Sequence, residues 1–190
     1  MANRAYLSLG SNIAPETNIV AAVEWLARRC HLLAVSSVWE TAPVGLASSQ
    51  PNFLNAVVLI QTPLSAAVLK YQLLADIEYA LGRVRHQDKH APRTIDIDIM
   101  LFNRQILTIG TRQIPDAEIL ERAFVAIPLA EIAPDYQHPQ IRQSLREIAH
   151  RFDREQTGMV LRKDVSTRLQ QIVPLVFDHA DIIQGDKYNV

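Results

Sequence analysis

Cys30 is the single cysteine in 190 residues, so no internal disulfide can staple this chain and a reducing compartment is the expected setting. Net charge is −1, which gives no general pull toward nucleic acid or anionic lipid. Any phosphate-binding cluster must therefore be local. The longest apolar runs, 54–60 and 123–130, are far shorter than a membrane span. The opening Met1-Ala2-Asn3-Arg4-Ala5-Tyr6 runs directly into a strand-like segment, which reads as a chain without a secretory leader. The six glycines include no phosphate-cradling loop, and Gly10-Ser11-Asn12 is too short for one. The six histidines show no metal-ligand spacing. A cytoplasmic protein that binds neither nucleic acid nor membrane is the expectation. Its length allows roughly 70% of the unfolded surface to be buried, enough for a core without staples.

What the chain does contain is concentrated in residues 89–102. Strict alternation places Ile95, Ile97, Ile99 and Leu101 on one face of a strand. Asp96 and Asp98 then stand side by side on the other, followed by Met100 and Phe102. Two adjacent carboxylates repel, and an apolar strand gains nothing by holding them together. A divalent cation reverses the sign of that interaction, and hard oxygen ligands suit Mg²⁺. Arg83, Arg85 and Arg93, with Lys89 between, bracket the preceding loop. Guanidinium groups beside paired aspartates suit a polyphosphate, although a solvated basic loop has the same composition.

Elsewhere the pattern predicts a strand over 5–9, a helix opened by Pro15, a strand over 32–39 and a strand over 57–61. A helix from 62–65 to Leu81 follows, with Leu69, Leu73, Ile77 and Leu81 as its buried stripe, and Gly82 ends it. With the aspartate strand, the order is βαββαβ, that of an α+β ferredoxin-like sandwich. Helical segments around 118–131 and 141–151 extend it toward the C-terminus. The loops 40–51 and 83–95 are long enough to suggest binding loops. Asn55, at a strand entrance, can read a heterocycle's edge or cap a turn. Phe53 and Phe124 can sandwich a planar ring or fill a core. Residues 1–152 read as one domain. Residues 153–190 read as an extension that packs on the same core or across a dimer, with 159–161 and 172–177 apolar enough for strands or a docking surface.

The run from Ala91-Pro92-Arg93 through Asp96-Ile97-Asp98 to Phe102 resembles the signature of the 6-hydroxymethyl-7,8-dihydropterin pyrophosphokinases. Leu9-Gly10-Ser11-Asn12, Thr41-Ala42-Pro43-Val44-Gly45, Pro51-Asn52-Phe53-Leu54-Asn55, Leu81-Gly82-Arg83-Val84-Arg85 and 128–134 support it in the same order. The resemblance runs from about Ala5 to Pro139. It implies transfer of pyrophosphate from ATP to the hydroxymethyl group of the dihydropterin, releasing AMP, in folate biosynthesis. By carry-over, Asp96 and Asp98 hold two Mg²⁺, and Arg83 and Arg93 close over the transferred group. Thr41, Pro43, Val44, Phe53, Asn55 and Phe124 line the pterin pocket, and Glu78, Arg85 and Arg122 lie on the nucleotide side. A monomer or weak homodimer acting on small molecules is implied.

Three positions depart from the family pattern. His90 stands where an aromatic residue is common, and Asp116-Ala117 stand where a His, often with Tyr, meets the nucleotide. A carboxylate about 8 Å from a phosphate costs roughly 2 kcal/mol at an effective dielectric near 20, or about thirtyfold in ATP affinity. A divergent relative with altered specificity, or a non-catalytic nucleotide- or metal-binding module, are the alternative readings.

Overall fold

The computed structural model describes residues 2–44, 50–84 and 91–173. Strand β1 (Asn3–Ser11) leads into helix α1 (Pro15–Arg29), then β2 (His31–Val35), β3 (Trp39–Thr41) and β4 (Phe53–Thr62). A continuous helical stretch follows: α2 (Ala66–Val68), a π-helical segment (Leu69–Leu74) and α3 (Ala75–Ala80). Strand β5 (Asp96–Phe102) carries the two aspartates. After it come the hairpin β6 (Leu107–Ile109) and β7 (Arg112–Ile114), and helices α4 (Glu118–Glu121), α5 (Ala123–Ile132) and α6 (Leu145–Ala149). Strand β8 (Val160–Leu161) and helix α7 (Lys163–Gln170) complete the described elements.

The main sheet is antiparallel, ordered β5-β1-β4-β3-β8, with β2 also paired to β4. Alternation along each strand sorts side chains into two clusters, one on each face. On one face Leu7, Leu9, Val58, Ile60, Ile97 and Ile99 meet α1 and the helical stretch 66–80. On the other, Tyr6, Val57, Leu59 and Met100 meet residues of α4, α5 and α6. Helices therefore cover both faces of the sheet, and Asp96, Asp98 and Asn55 share the face of the second cluster.

Four sequence expectations change. The strand over 32–39 is two strands, because Ser36 interrupts it: its hydroxyl accepts from Val57 N–H at 2.9 Å, in place of a backbone carbonyl. The alternation through 95–102 breaks at Met100, where the pairing with β1 slips between Tyr6/Leu7, opposite Leu101/Ile99. Leu101 consequently joins the second-face cluster and Phe102 the first, so Phe102 does not continue the aspartate face. The helix expected over 141–151 starts only at Leu145, where Ser144 and Glu147 form a reciprocal capping box. Ile172 and Val173 form a turn against the first core, not a strand; residues 174–177 lie outside the described residues.

The π segment has a physical cause. Spacing of i+4 overshoots an α-helical turn by about 40° at each step, so a long i+4 stripe rotates away from the sheet. A wider turn returns it. Leu69, Leu73, Leu74 and Ile77 are buried as a result, and Glu78 with them. The extension contributes to the same core: Val165 and Leu169 of α7 are fully buried in the first-face cluster.

Candidate active site

One row across the sheet sets the geometry. Gly10 of β1 pairs with Asp96 on one side and Asn55 on the other, and Asn55 pairs in turn with Trp39. The row below holds Ser8 between Asp98 and Val57. With strands about 4.8 Å apart, Asp96 and Asn55 stand on one face across a position that has no side chain. A Cβ at Gly10 would meet Asn55 Oδ1 at 3.4 Å and Phe53 Cδ1 at 3.9 Å. Glycine thus leaves the floor between carboxylate and amide open.

The carboxylate end is dense with charge. Asp96 accepts from Arg83 through Oδ1 and from Arg93 through Oδ2, both in very short contacts. Asp98 meets Lys70 Nζ through Oδ1 at 2.7 Å and Arg112 Nη1 through Oδ2 at 2.8 Å. Every oxygen of the pair therefore faces a different cation. Burial raises the Asp96 carboxyl, but Arg83 and Arg93 outweigh it and hold it below the ordinary carboxylate range. Behind them lies Glu78, buried, accepting from Arg83 Nη1 at 2.7 Å and from Ile97 N–H at 2.9 Å. Its burial pushes its carboxyl up, against the pull of Ile97 N–H, Lys70 and Arg83. Glu78 thus braces Arg83 from beneath.

Local structure aims the second arginine. Asn12 N–H and Ile13 N–H donate to Arg93 carbonyl at 3.1 and 3.2 Å, and Asn12 Oδ1 accepts from Arg93 N–H at 2.8 Å. The turn after β1 therefore grips the backbone of Arg93 three residues before Asp96. Lys70 arrives from the π segment and also donates to Ile97 carbonyl at 2.6 Å. Arg112 arrives from β7 and reaches Asp116 at 3.5 Å as well. A cavity of about 220 Å³ beside Asp98 is lined by Lys70, Tyr71, Ile99, Ile109, Arg112 and Ile114.

Asp116 is therefore not an unscreened charge. Burial raises its carboxyl, while Glu118 N–H at 3.0 Å and Arg112 pull it down. The compensating cation is Arg112, a residue for which the sequence analysis gave no role.

The amide end is neutral. Asn55 donates through Nδ2 to Thr41 Oγ1 at 2.9 Å, and both are buried. Trp39 is turned by Glu131 of α5, which accepts from its ring N–H at 2.8 Å and from Ser37 N–H at 2.7 Å. Phe53 begins β4 beside Asn55, whereas Phe124 packs with the second-face cluster from α5. Val44 is 47% exposed at the end of a described stretch, and Pro43 is half-buried beside it. Arg122 caps the start of α5 through its backbone. Arg85 and His90 lie outside the described residues. Lys70, Arg112, Gly10 and Trp39 are the site-forming residues that sequence reasoning missed.

The family model for 7,8-dihydro-6-hydroxymethylpterin-pyrophosphokinase matches residues 6–134. A 2-amino-4-hydroxy-6-hydroxymethyldihydropteridine pyrophosphokinase of Pseudomonas aeruginosa is 41% identical over 145 residues, which span 75% of this chain and 88% of that protein. The protein of the same name from Bacillus subtilis is 43% identical over 135 residues, 70% of this chain and 79% of the relative. In fold, the chain is similar to the crystal structure of wild-type Plasmodium falciparum HPPK-DHPS, with a TM-score of 0.64 at 14% identity over 80% of this chain. The chain covers 44% of that longer protein, and at such identity the likeness concerns fold alone. The matched stretch contains both aspartates, Arg83, Arg93 and Asn55, and on that match the chain belongs to the 7,8-dihydro-6-hydroxymethylpterin-pyrophosphokinase family.

Proposed function

We propose that this chain transfers pyrophosphate from ATP to the hydroxymethyl group of 6-hydroxymethyl-7,8-dihydropterin and releases AMP, a step of folate biosynthesis. The observation that carries the reading is the Asp96–Gly10–Asn55 row: a charged end suited to phosphates, a neutral amide end suited to a heterocycle, and an open floor between them. The alcohol oxygen forms a bond to the β-phosphorus. The bond to the oxygen bridging the α- and β-phosphorus breaks, AMP leaves, and the alcohol's proton passes to solvent.

In this reading Thr41, Pro43, Val44, Phe53, Asn55 and Phe124 hold the pterin. Arg83 and Arg93 offset charge on the transferred group, Glu78 braces Arg83, and Arg85, Arg112 and Arg122 face the nucleotide. Alignment and electrostatics supply the rate enhancement, since an alcohol attacking a phosphoryl group needs positioning more than a strong base.

The donor set fits Mg²⁺. Among the described residues no group of three or more His, Cys, Asp or Glu could hold an ion by itself. Two carboxylates leave the remaining coordination to phosphate oxygens and water, which is how Mg²⁺ is usually held with nucleotides. The cluster supports the same conclusion by its charge. Lys70, Arg83, Arg93 and Arg112 are balanced by Glu78, Asp96, Asp98 and Asp116, so these eight residues carry no surplus positive charge for a triphosphate. Two Mg²⁺ held by Asp96 and Asp98 would supply that charge and polarise the phosphates.

The strand order β5-β1-β4 with β2 and β3 beyond supports a ferredoxin-like reading of the βαββαβ core. Among the described residues no helix is long and apolar enough to cross a membrane, and we place the enzyme in the cytoplasm as a monomer or weak homodimer. AMP release from ATP and Mg²⁺, measured with and without the dihydropterin, tests the function. Pterin-dependent AMP that disappears in Asp98→Ala is expected; AMP release indifferent to pterin overturns the reading.

A further inference from the structure

The stretch after the family-matched residues reaches back to the edge strand that carries Thr41. Val160 and Leu161 pair with Glu40 and Trp39, extending the sheet beyond β3. Arg162 N–H then donates to Val38 carbonyl at 2.9 Å, and Val38 N–H donates to Ser166 Oγ at 2.8 Å. The hydroxyl of Ser166 donates in turn to Arg162 carbonyl at 2.7 Å. Val165 and Leu169 fix α7 in the core one turn apart. The backbone on both sides of Arg162 is therefore held.

Its side chain meets three carboxylates from three parts of the chain. Nη1 donates to Glu40 Oε2 at 3.1 Å, Nε and Nη2 to Asp164 at 3.1 and 2.8 Å, and Nη2 also to Glu16 at the start of α1. The other oxygen of Glu40 accepts from Asn52 Nδ2 at 2.9 Å. The hydrogen bond from Asn52 holds the Glu40 carboxyl below the ordinary range, burial opposes it, and Arg162 adds to the lowering. Glu40 and Leu54 pair on the face that carries the first cluster and α1, while their neighbours Thr41, Phe53 and Asn55 lie on the opposite face. Arg162 thus grips, from behind, the two strand ends whose front faces carry the amide end of the site.

We propose that Arg162 is a positioning residue for the pterin side: with β8 and α7 it clamps Glu40 to Asn52 and so fixes the separation of Thr41 and Asn55. The inference rests on the assignment of Thr41 and Asn55 to the pterin and lies outside the family-matched residues 6–134. A planar guanidinium suits the task because it keeps several donors in one rigid plane, which an ammonium cannot do.

The test compares the full-length chain with Arg162→Ala and Arg162→Lys, and with Arg146→Ala, which breaks the exposed Arg146–Asp135 pair elsewhere. Steady-state kinetics and amide hydrogen exchange are read on each. For Arg162→Ala we expect KM for the dihydropterin to rise about tenfold, with kcat and KM for ATP within about twofold. Exchange should quicken at 38–41 and 53–55. Arg162→Lys should recover part of both, and Arg146→Ala neither change. Unchanged pterin KM and unchanged exchange in Arg162→Ala overturn the clamp, as does an equal rise in both KM values. If Arg162→Ala does not fold, Arg162→Lys decides by the same two readouts. Faster exchange in a chain whose wild type lacks pterin-dependent turnover upholds the clamp and defeats the functional reading instead.

Discussion

The two ends of the row across the sheet are built on opposite plans. At Asn55 and Thr41 one neutral hydrogen bond joins two buried groups, and the arrangement asks little of a ligand except shape and donor–acceptor pairing. At Asp96 and Asp98 each of the carboxylate oxygens is engaged by a basic side chain. The amide end is therefore preorganised, while the carboxylate end holds its oxygens in ion pairs that, in the proposed reaction, would be exchanged for metal and phosphate. Partners that neutralise the aspartates before substrate arrives keep two adjacent charges from repelling. In the proposed reaction the same cations would be released to the triphosphate, leaving little charge unpaired.

The sharpest way to break this contrast is Asp98→Ala. Turnover should fall about 10³-fold or more, the scale of losing a preorganised electrostatic group, with the fold retained by circular dichroism. Asn55→Ala addresses the other end: KM for the dihydropterin should rise about 10- to 100-fold, as expected when a buried partner is left unsatisfied, with KM for ATP unchanged. If both variants alter both substrates alike, the ends are not separate.

Acid separates the ends in a second way. The Asp96 carboxyl is lowered in the folded chain, so the stability it contributes is complete above its unfolded value of about 3.9. That contribution is lost as pH falls further, through the lower folded value. As pH falls through that range, protection factors, which allow for the slower intrinsic exchange in acid, should therefore drop around residues 93–98 with Asp96. Any drop at Asn55 and Thr41 should instead follow Glu40, whose carboxyl is also lowered. The smallest effect belongs to Asp116→Asn. With Arg112 already beside it, ATP affinity should change by no more than about threefold, the scale of a half-exposed ion pair. A thirtyfold gain by calorimetry would show that Arg112 does not shield it.

Much of this was legible in the sequence, for identifiable reasons. The aspartate pair announces itself because carboxylates interrupt an otherwise apolar alternation. The slip at Met100 does not, since Met100, Leu101 and Phe102 are all apolar and either parity satisfies the pattern. Lys70 was hidden inside a helix read as regular α, although a four-residue stripe as long as Leu69 to Leu81 was itself the sign of a wider turn. Arg112 sits on a three-residue strand, too short to leave a periodicity. The split at Ser36 depends on a hydroxyl finding Val57, a tertiary event with no local signature. In α7 the i+4 pair Val165 and Leu169 was readable as a buried face, but flanking charges obscured it.

The slip at Met100 has a mechanical side. Its carbonyl accepts from Asp116 N–H at 3.0 Å, so the segment bearing Asp116 travels with the strand bearing Asp98. The two anionic partners of Arg112 are thereby mounted on one frame, whereas Arg112 itself stands half-exposed on a separate hairpin. Of this three-part latch, the frame is fixed and the bolt is the arginine. In the proposed reaction a phosphate that drew Arg112 aside would free one oxygen of Asp98 and its neighbour Asp116 together, while Lys70 kept the other oxygen of Asp98.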